Sequence, residues 1–179
     1  MIRPEEWMLA VIDVQPRLLD VMWRRDRLLD RLARLLRGAE ALQVPVLVTE
    51  QVPAKLGGTE PGLRSLMGAA DPIAKSTFSA LGEPAFASRL AEMGRRCVWL
   101  AGIETHVCVY QTACDLLAAG YRVDVVADAV SSRTEEDRRL GLERMRTVGA
   151  GWTSVEMALF EGLDRAEGET FRAIHRIVK

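Results

Sequence analysis

Short apolar runs alternate with helical stretches along most of the chain, and this alternation limits the folds that it can adopt. The runs that predict strands are residues 7–13, 44–50, 72–76, 96–103, 121–130 and 151–157. Helical spacing of apolar residues predicts helices over 17–43, 84–94, 105–120 and 132–149, with a helical tail from about residue 170. Strands that alternate with helices form a mainly parallel sheet covered on both faces. We therefore predict a three-layer α/β/α fold.

The length of the chain fits one domain of this architecture. A chain of 179 residues buries about 70% of the surface that its unfolded form exposes, so it needs neither disulfides nor metals to fold. Residues 51–72 are rich in Gly and Pro without a clear period, and we predict a long loop there. Since no repeat, low-complexity tract or linker divides the sequence, residues 1–179 are predicted to form a single domain.

Charge and cysteine content exclude several classes of partner. The 24 basic residues nearly cancel the 25 acidic ones, whereas a nucleic-acid-binding face needs a basic excess. The apolar run near the N-terminus ends at Asp13, is too short to span a membrane and lacks the cleavage region of a signal peptide. The three cysteines follow no disulfide spacing. We therefore predict a cytoplasmic protein that binds neither nucleic acid nor membrane.

Charged residues end several of the predicted strands. The carboxyl ends of parallel strands share one edge of the sheet, where open α/β folds bind their ligands. That edge is predicted to carry five such residues: Asp13, Glu50, Lys75, Glu104 and Asp128. Each one alone is explained equally well as a surface residue at which a strand stops. As a set, they predict a polar site at this edge.

The stretch "AGIETHVCVYQTAC", residues 101–114, places a cysteine just past the fourth predicted strand. Cys108 falls in the first turn of the helix predicted from Thr105, where backbone N–H groups and the helix dipole stabilise a thiolate. A nearby lysine adds to this stabilisation, and a carboxylate accepts the thiol proton. The pattern predicts a nucleophilic thiol with a lowered pKa, served by Asp13 and Lys75, with backbone N–H groups of the turn as oxyanion donors.

The other cysteines and the nearby histidine have simpler interpretations. Cys97 opens a strand and Cys114 lies on a different helix face from Cys108, so both are predicted to be packed and inert. His106 precedes Cys108 by two positions, and side chains so spaced on a helix point in different directions. We predict a supporting or packing role for His106 rather than a Cys–His pair.

Three separated blocks resemble one known family. The blocks are "VIDVQ", "AKSTFSAL" and "GIETHVCV", the last followed by "TACDLLAAGYRVDVVADAVSSR". They resemble the isochorismatase-like cysteine hydrolases over about residues 8–160. The resemblance implies a six-stranded, Rossmann-like sheet whose order reverses between the strands that carry Asp13 and Cys108. It also implies that Asp13 is the general base, that Lys75 bridges base and thiol, and that Cys108 is the nucleophile.

The resemblance implies further details of the site. Family members have a non-proline cis peptide shortly before the cysteine, which corresponds here to Ile103–Glu104. The backbone N–H groups of Glu104 and Cys108 are then the implied oxyanion donors. Gln51, Lys55 and Phe78 are candidates for the substrate pocket, although loop packing explains each of them equally well.

Departures from better-known relatives narrow the implied activity. Residues 49–62, "TEQVPAKLGGTEPG", lack the Asp-x-His pattern that binds metal in nicotinamidases, and the chain has two histidines, so we predict no metal and no cofactor. True isochorismatases cleave a vinyl ether and lack the cysteine present here. The predicted activity is hydrolysis of a small amide-type C–N bond through a thioester, in a homo-oligomer such as many family members form.

Two alternatives stay open from the sequence. The protein could be a non-catalytic member that serves assembly or thiol redox sensing, a role that does not require Asp13 and Lys75 beside the thiol. It could instead hydrolyse a vinyl ether with Asp13 as the proton donor, an activity that would survive the loss of Cys108. The sequence names no substrate, because residues 51–72 would shape the pocket.

Overall fold

The computed structural model describes residues 3–163 and 165–179 of the chain. Its sheet contains β1 (Trp7–Ile12), β2 (Val46–Gln51), β3 (Ile73–Lys75), β4 (Cys97–Ile103), β5 (Arg122–Ser131) and β6 (Gly151–Thr153). The strand order is β3-β2-β1-β4-β5-β6 and every neighbouring pair is parallel. The order reverses between β1 and β4, which places a crevice at their carboxyl ends. The predicted six-stranded α/β architecture is confirmed.

The helices fall between the strands in the expected alternation. Their bounds are α1 (Pro16–Leu19), α2 (Arg25–Ala41), α3 (Pro53–Leu56), α4 (Pro61–Arg64), α5 (Pro84–Glu92), α6 (Tyr110–Ala118), α7 (Glu135–Thr147), α8 (Val155–Glu161) and α9 (Gly168–Val178). Short 3₁₀ turns occupy Pro4–Glu6 and Ala80–Gly82, and a π-helical turn spans Thr105–Val109. Within the described ranges, none of these helices is long and apolar enough to cross a bilayer.

The two central strands are apolar on both faces because helices cover both sides of the sheet. Every residue of β1 and β4 is buried. Side chains alternate between the faces along each strand. Leu9, Val11 and Trp99 pack with α2 and α8 on one side, while Ala10 and Leu100 pack with α5, α6 and α7 on the other. Two apolar layers therefore hold the carboxyl edge of the sheet rigidly in place.

The last predicted strand is too long. Residues 151–157 were expected to be extended, but β6 ends at Thr153 and α8 begins at Val155. Ser154 caps this helix, because its side chain accepts a hydrogen bond from the N–H of Met157. A capping serine therefore prevails over the apolar character of the residues that follow it.

Two other regions also differ from expectation. The helix predicted over 17–43 is divided into α1 and α2, and Arg24 before α2 adopts a left-handed conformation with φ of 50°. The predicted loop over 51–72 contains the single-turn helices α3 and α4, which begin at Pro53 and Pro61. Proline is favoured at the first position of a helix, so these prolines begin short helices here.

Candidate active site

Asp13 follows the last residue of β1 and is fully buried at the crevice. Its φ of 52° lies in the left-handed region, which is uncommon for residues other than glycine. Two contacts with Thr49 on β2 hold it there: its N–H donates to the Thr49 carbonyl over 3.2 Å, and the Thr49 hydroxyl donates to Oδ1 over 2.7 Å. Neighbouring Gly102 on β4 has φ of 112°, and a Cβ there would lie 2.2 Å from the Ile12 carbonyl oxygen. The sheet is therefore closely packed just before Asp13.

Lys75 is the last residue of β3 and reaches across β2 to Asp13. Its Nζ donates to Asp13 Oδ2 over 2.6 Å, and both side chains are fully buried. The same Nζ lies 2.5 Å from Gln51 Oε1 and 3.1 Å from the carbonyl oxygens of Thr77 and Phe78. Burial of two charges is costly unless they are paired and hydrogen-bonded, and this pair meets both conditions.

Cys108 lies in the π-helical turn rather than in an ordinary first turn of a helix. The Glu104 carbonyl accepts from the N–H groups of Val107 and Val109, at 3.1 and 3.2 Å, and Cys108 lies between these donors. Single π-helical turns at the edge of an α-helix are frequent at functional sites. The turn rests directly on α7, because a Cβ at Gly141 would lie 2.9 Å from the His106 Cα atom.

The pKa of the Cys108 thiol is raised from 9.0 to about 12. Burial is the largest cause, followed by the negative charge of Asp13, while the positive charge of Lys75 opposes both. The expectation of a lowered thiol pKa is therefore wrong, because burial and the adjacent carboxylate outweigh the lysine. The thiol is protonated at neutral pH, next to a carboxylate that can take its proton.

The peptide bond Ile103–Glu104 is cis. Within residues 3–163 and 165–179, the N–H of Glu104 donates to no protein acceptor. The Glu104 side chain forms an ion pair with Arg133, with 3.0 Å between Oε2 and Nε. Thr105 ties the same segment to the end of β5, because its hydroxyl donates to the Ser131 carbonyl over 2.9 Å. An N–H without a partner at this turn is available to a substrate oxygen.

Only two of the five charged residues predicted at the strand ends form an ion pair with each other. Glu50 accepts from the N–H and hydroxyl of Thr59 and so fixes the loop after β2. Asp128 lies within β5 rather than at its end, and its Oδ1 accepts from the N–H of Val155 at the start of α8. Strand-end position alone therefore does not identify the members of the site.

The three candidate pocket residues have different surroundings. Gln51 contacts Lys75 directly, as described above, and its Nε2 donates to the Ser76 carbonyl over 3.1 Å. Phe78 is 55% exposed, and its own backbone carbonyl accepts a hydrogen bond from Lys75. Lys55 is exposed on α3, and its carbonyl accepts from the Arg17 guanidinium. In the described part of the chain, no hydrogen bond joins the Lys55 side chain to Asp13, Lys75 or Cys108.

Sequence reasoning missed two residues that position the site. Thr49 binds Asp13 through its hydroxyl, and buried Gln15 grips the backbone of Gln51 at both its N–H and its carbonyl, over 2.7 and 3.1 Å. The sequence carries a signal for both: Gln15 ends the block "VIDVQ", and Thr49 lies two positions before Gln51 at the end of β2. Among the uncharged polar residues near strand ends, the sequence singled out only Gln51, because a threonine or glutamine there is also typical of an ordinary strand end.

The remaining candidates do not reach the thiol. His106 Nδ1 lies 2.9 Å from the Ser132 hydroxyl, consistent with the supporting role predicted for it. Cys97 is buried, which raises the pKa of its thiol, and Cys114 is partly buried on α6. Among the residues that the structure describes, no three His, Cys, Asp or Glu side chains are grouped as metal ligands.

Comparison with known proteins identifies the family. Residues 8–157 match the isochorismatase domain. Isochorismatase domain-containing protein 1 of Salmo salar is 44% identical over 147 residues, which cover 82% of this chain and 51% of that protein, so the chain spans about half of that relative. The secreted isochorismatase effector Isc1 of Phytophthora sojae is 37% identical and covers 98% of this chain and 86% of the effector.

Solved structures agree with this assignment. The MAR1 ribonuclease of Caenorhabditis elegans superposes with a TM-score of 0.92 at 34% identity, over 99% of this chain and 91% of that one. The YcaC gene product of Escherichia coli, an octameric hydrolase of unknown specificity, also superposes with a TM-score of 0.92, over 98% of this chain and 88% of that one. At 21% identity, this similarity shows the fold alone. The domain match, the relatives and the shared fold together show that this chain belongs to the isochorismatase family.

Proposed function

We propose that the protein is a cysteine hydrolase that cleaves a small amide-type C–N bond through a thioester. The observation that carries this proposal is the buried Asp13–Lys75 ion pair, with 2.6 Å between Nζ and Oδ2, whose two charges both act on the pKa of the Cys108 thiol. A role in assembly alone does not require two buried charges at a thiol, and their desolvation lowers stability.

Acylation begins with a protonated thiol. Asp13 accepts the proton as the sulfur attacks the carbonyl carbon, because the raised thiol pKa leaves little thiolate to attack unaided. The carbonyl oxygen becomes an oxyanion, which accepts hydrogen bonds from the backbone N–H groups of Glu104 and Cys108. The C–N bond then breaks, and the leaving nitrogen takes the proton from Asp13. The products are an amine or ammonia and a thioester on Cys108.

Deacylation reverses the sequence of proton transfers. A water molecule attacks the thioester carbonyl and gives its proton to Asp13. The C–S bond breaks, a carboxylic acid leaves, and the sulfur recovers the proton. Throughout both steps Lys75 keeps its charge and stabilises whichever neighbour is negative, the Asp13 carboxylate or the developing thiolate.

The test is release of ammonia from a panel of small primary amides, with mass spectrometry of the stalled intermediate. Wild-type protein is expected to release ammonia and to carry an acyl group on Cys108, whereas Cys108→Ala does neither. Cys114→Ala is the matched control and should keep full activity, because that thiol is on another face of the helix. Ammonia release by Cys108→Ala at the wild-type rate would refute the proposal.

Other activities give different results in the same experiment. Vinyl-ether cleavage with Asp13 as the proton donor would persist in Cys108→Ala, and a redox sensor would show reversible oxidation of Cys108 without turnover. The C. elegans relative is named a ribonuclease, so RNA belongs in the panel. The net charge of −1 and a Cys108 side chain that is buried favour a small substrate over a polynucleotide.

We also propose a cytoplasmic homo-oligomer. The free thiols of Cys97, Cys108 and Cys114 are typical of a reducing compartment, although the Phytophthora relative is secreted. Exposed apolar side chains at Leu140, Val148 and Trp152 lie on α7, at its end and on edge strand β6, and provide a surface for a second copy. Light scattering after gel filtration measures the mass, and a monomer at micromolar concentration would contradict this proposal.

A further inference from the structure

The Lys75 ammonium has more hydrogen-bond acceptors around it than it has protons. An ammonium donates three hydrogen bonds, yet Asp13 Oδ2, Gln51 Oε1 and the carbonyls of Thr77 and Phe78 all lie between 2.5 and 3.1 Å from Nζ. The positive charge of the same group also lowers the pKa of the Cys108 thiol. A thiolate that forms on Cys108 must therefore compete for a Lys75 proton.

These acceptors differ in how readily they can give up the ammonium. Asp13 is a fully buried carboxylate that Thr49 also holds, so its bond to Lys75 is charge-assisted and persists. The Thr77 and Phe78 carbonyls belong to the backbone two and three residues past Lys75 and cannot rotate away independently. Gln51 contributes a neutral amide on a half-buried side chain. Of these four acceptors, it is the one that can release the ammonium by rotating its side chain.

The other contacts of the Gln51 amide determine which of its two ends faces the ammonium. Its Nε2 donates to the Ser76 carbonyl over 3.1 Å, so its Oε1 must face the ammonium. Gln15 binds the N–H and carbonyl of Gln51, over 2.7 and 3.1 Å, and thus holds the backbone independently of the Gln51 side chain. A side-chain substitution at position 51 therefore leaves both hydrogen bonds to Gln15 in place.

We propose that Gln51 is a positioning residue that acts through Lys75: its amide oxygen occupies the Nζ–H that the Cys108 thiolate needs, and releases it when the thiolate forms. Gln51 thereby keeps the thiol protonated until a substrate is attacked. This assignment rests on the proposed role of Cys108 as nucleophile, but it concerns the free protein and can be tested without a substrate.

The proposal predicts opposite effects for two substitutions of similar size. Gln51→Met removes the competing acceptor, so a Lys75 proton is available to the thiolate and alkylation of Cys108 by iodoacetamide accelerates about three- to tenfold at neutral pH. Gln51→Glu adds a carboxylate that holds the proton and repels the thiolate, so alkylation slows by a similar factor. A merely structural role would loosen the site in both variants and change both rates in the same direction.

The experiment measures the alkylation rate of Cys108 by peptide mass spectrometry, which separates it from Cys97 and Cys114. The controls are Gln43→Met and Gln43→Glu, because Gln43 is exposed before the opposite end of β2 and should leave the rate unchanged. Thermal melting of each variant shows that it is folded. Opposite changes at position 51 support the proposal, while equal rates or changes of the same sign overturn it. Amide turnover is assayed separately, so failure of the hydrolase proposal is distinguishable from failure of this one.

Discussion

At the scale of single residues, the candidate site places a protonated thiol next to the carboxylate that we propose as its base. The carboxylate of Asp13 raises the pKa of the Cys108 thiol, and it is also the group that we propose removes the thiol proton. This arrangement differs from a preformed thiolate, because in the proposed mechanism the thiol loses its proton only when the sulfur attacks a carbonyl carbon. A thiol of this kind is protected from indiscriminate alkylation and oxidation, since the thiolate is the reactive species.

The raised pKa predicts how alkylation of Cys108 depends on pH. Because the pKa is about 12, the thiolate fraction and the alkylation rate should rise about tenfold for each pH unit from about pH 6 to pH 10. An unperturbed thiol, with its pKa of 9.0, would level off within that range. Iodoacetamide kinetics read out by mass spectrometry test this, with glutathione as the reference thiol. A plateau below about pH 8 would show that a stable thiolate is present after all.

The base function proposed for Asp13 makes a separate prediction. Asp13→Asn keeps the shape of the side chain but removes the proton acceptor, so kcat for amide hydrolysis should fall about 100- to 10,000-fold. The matched control is Asp115→Asn, an exposed aspartate on α6, which should retain wild-type turnover. Kinetics on the best amide of the panel measure both variants. Near-normal turnover by Asp13→Asn would assign the base to another group.

At the scale of elements, the position of Cys108 depends on how closely α7 approaches the π-helical turn. Gly141 lies within α7, where alanine would normally stabilise the helix by about 1 kcal/mol. Its missing Cβ, however, would lie 2.9 Å from the His106 Cα, the His106 N and the Thr105 carbonyl carbon. All three are backbone atoms, which cannot move aside as a flexible side chain can. The steric term therefore outweighs the gain in helix propensity.

We expect Gly141→Ala to displace the turn that carries Cys108. Its unfolding free energy should fall by about 1–3 kcal/mol, the typical cost of overpacking, and activity should fall further than stability alone explains. Urea denaturation and amide turnover measure the two effects. Arg139→Ala on the exposed side of α7 is the control, because its ion pair with Glu143 contributes little. A more stable Gly141→Ala protein would mean that α7 can shift freely.

The sequence predicted the elements better than their boundaries. Alternating apolar runs indicated all six strands in order, because buried parallel strands must be apolar. It failed where a local feature interrupts that pattern, as at Ser154, whose cap begins α8 inside a predicted strand. The π-helical turn at Cys108 has no periodicity of its own and could not be distinguished from an α-helix.

At the scale of the whole molecule, one ion pair joins three strands. Lys75 on β3 crosses β2 to meet Asp13 after β1, and Gln51 and Thr49 on β2 bind one partner each. The sequence indicated the two charged partners and Gln51 but not Thr49, because a threonine inside a strand does not stand out from the residues around it. It also gave the wrong direction for the thiol pKa, since the depth of burial is set by layers packed from distant parts of the chain.

This network predicts a large effect on global stability. Lys75→Met leaves the Asp13 carboxylate buried without its cation, which should lower the unfolding free energy by about 3–5 kcal/mol. Adding Asp13→Asn removes the isolated charge, so the double variant should recover part of the loss. Denaturation by urea of the four proteins in this cycle measures the coupling. If the double variant loses more unfolding free energy than the two single variants together, the pair does not interact as described.

The position of Lys75 has a consequence for the working temperature range of the protein. Its strand is three residues long and is bonded on one side only, to β2, so it is among the first parts of the sheet to fray. The ammonium group would leave with that strand while the central strands remain folded. On warming, the proposed activity should therefore be lost reversibly at a temperature several degrees below that at which the helices unfold. A ligand bound across β2 and β3 should narrow this difference.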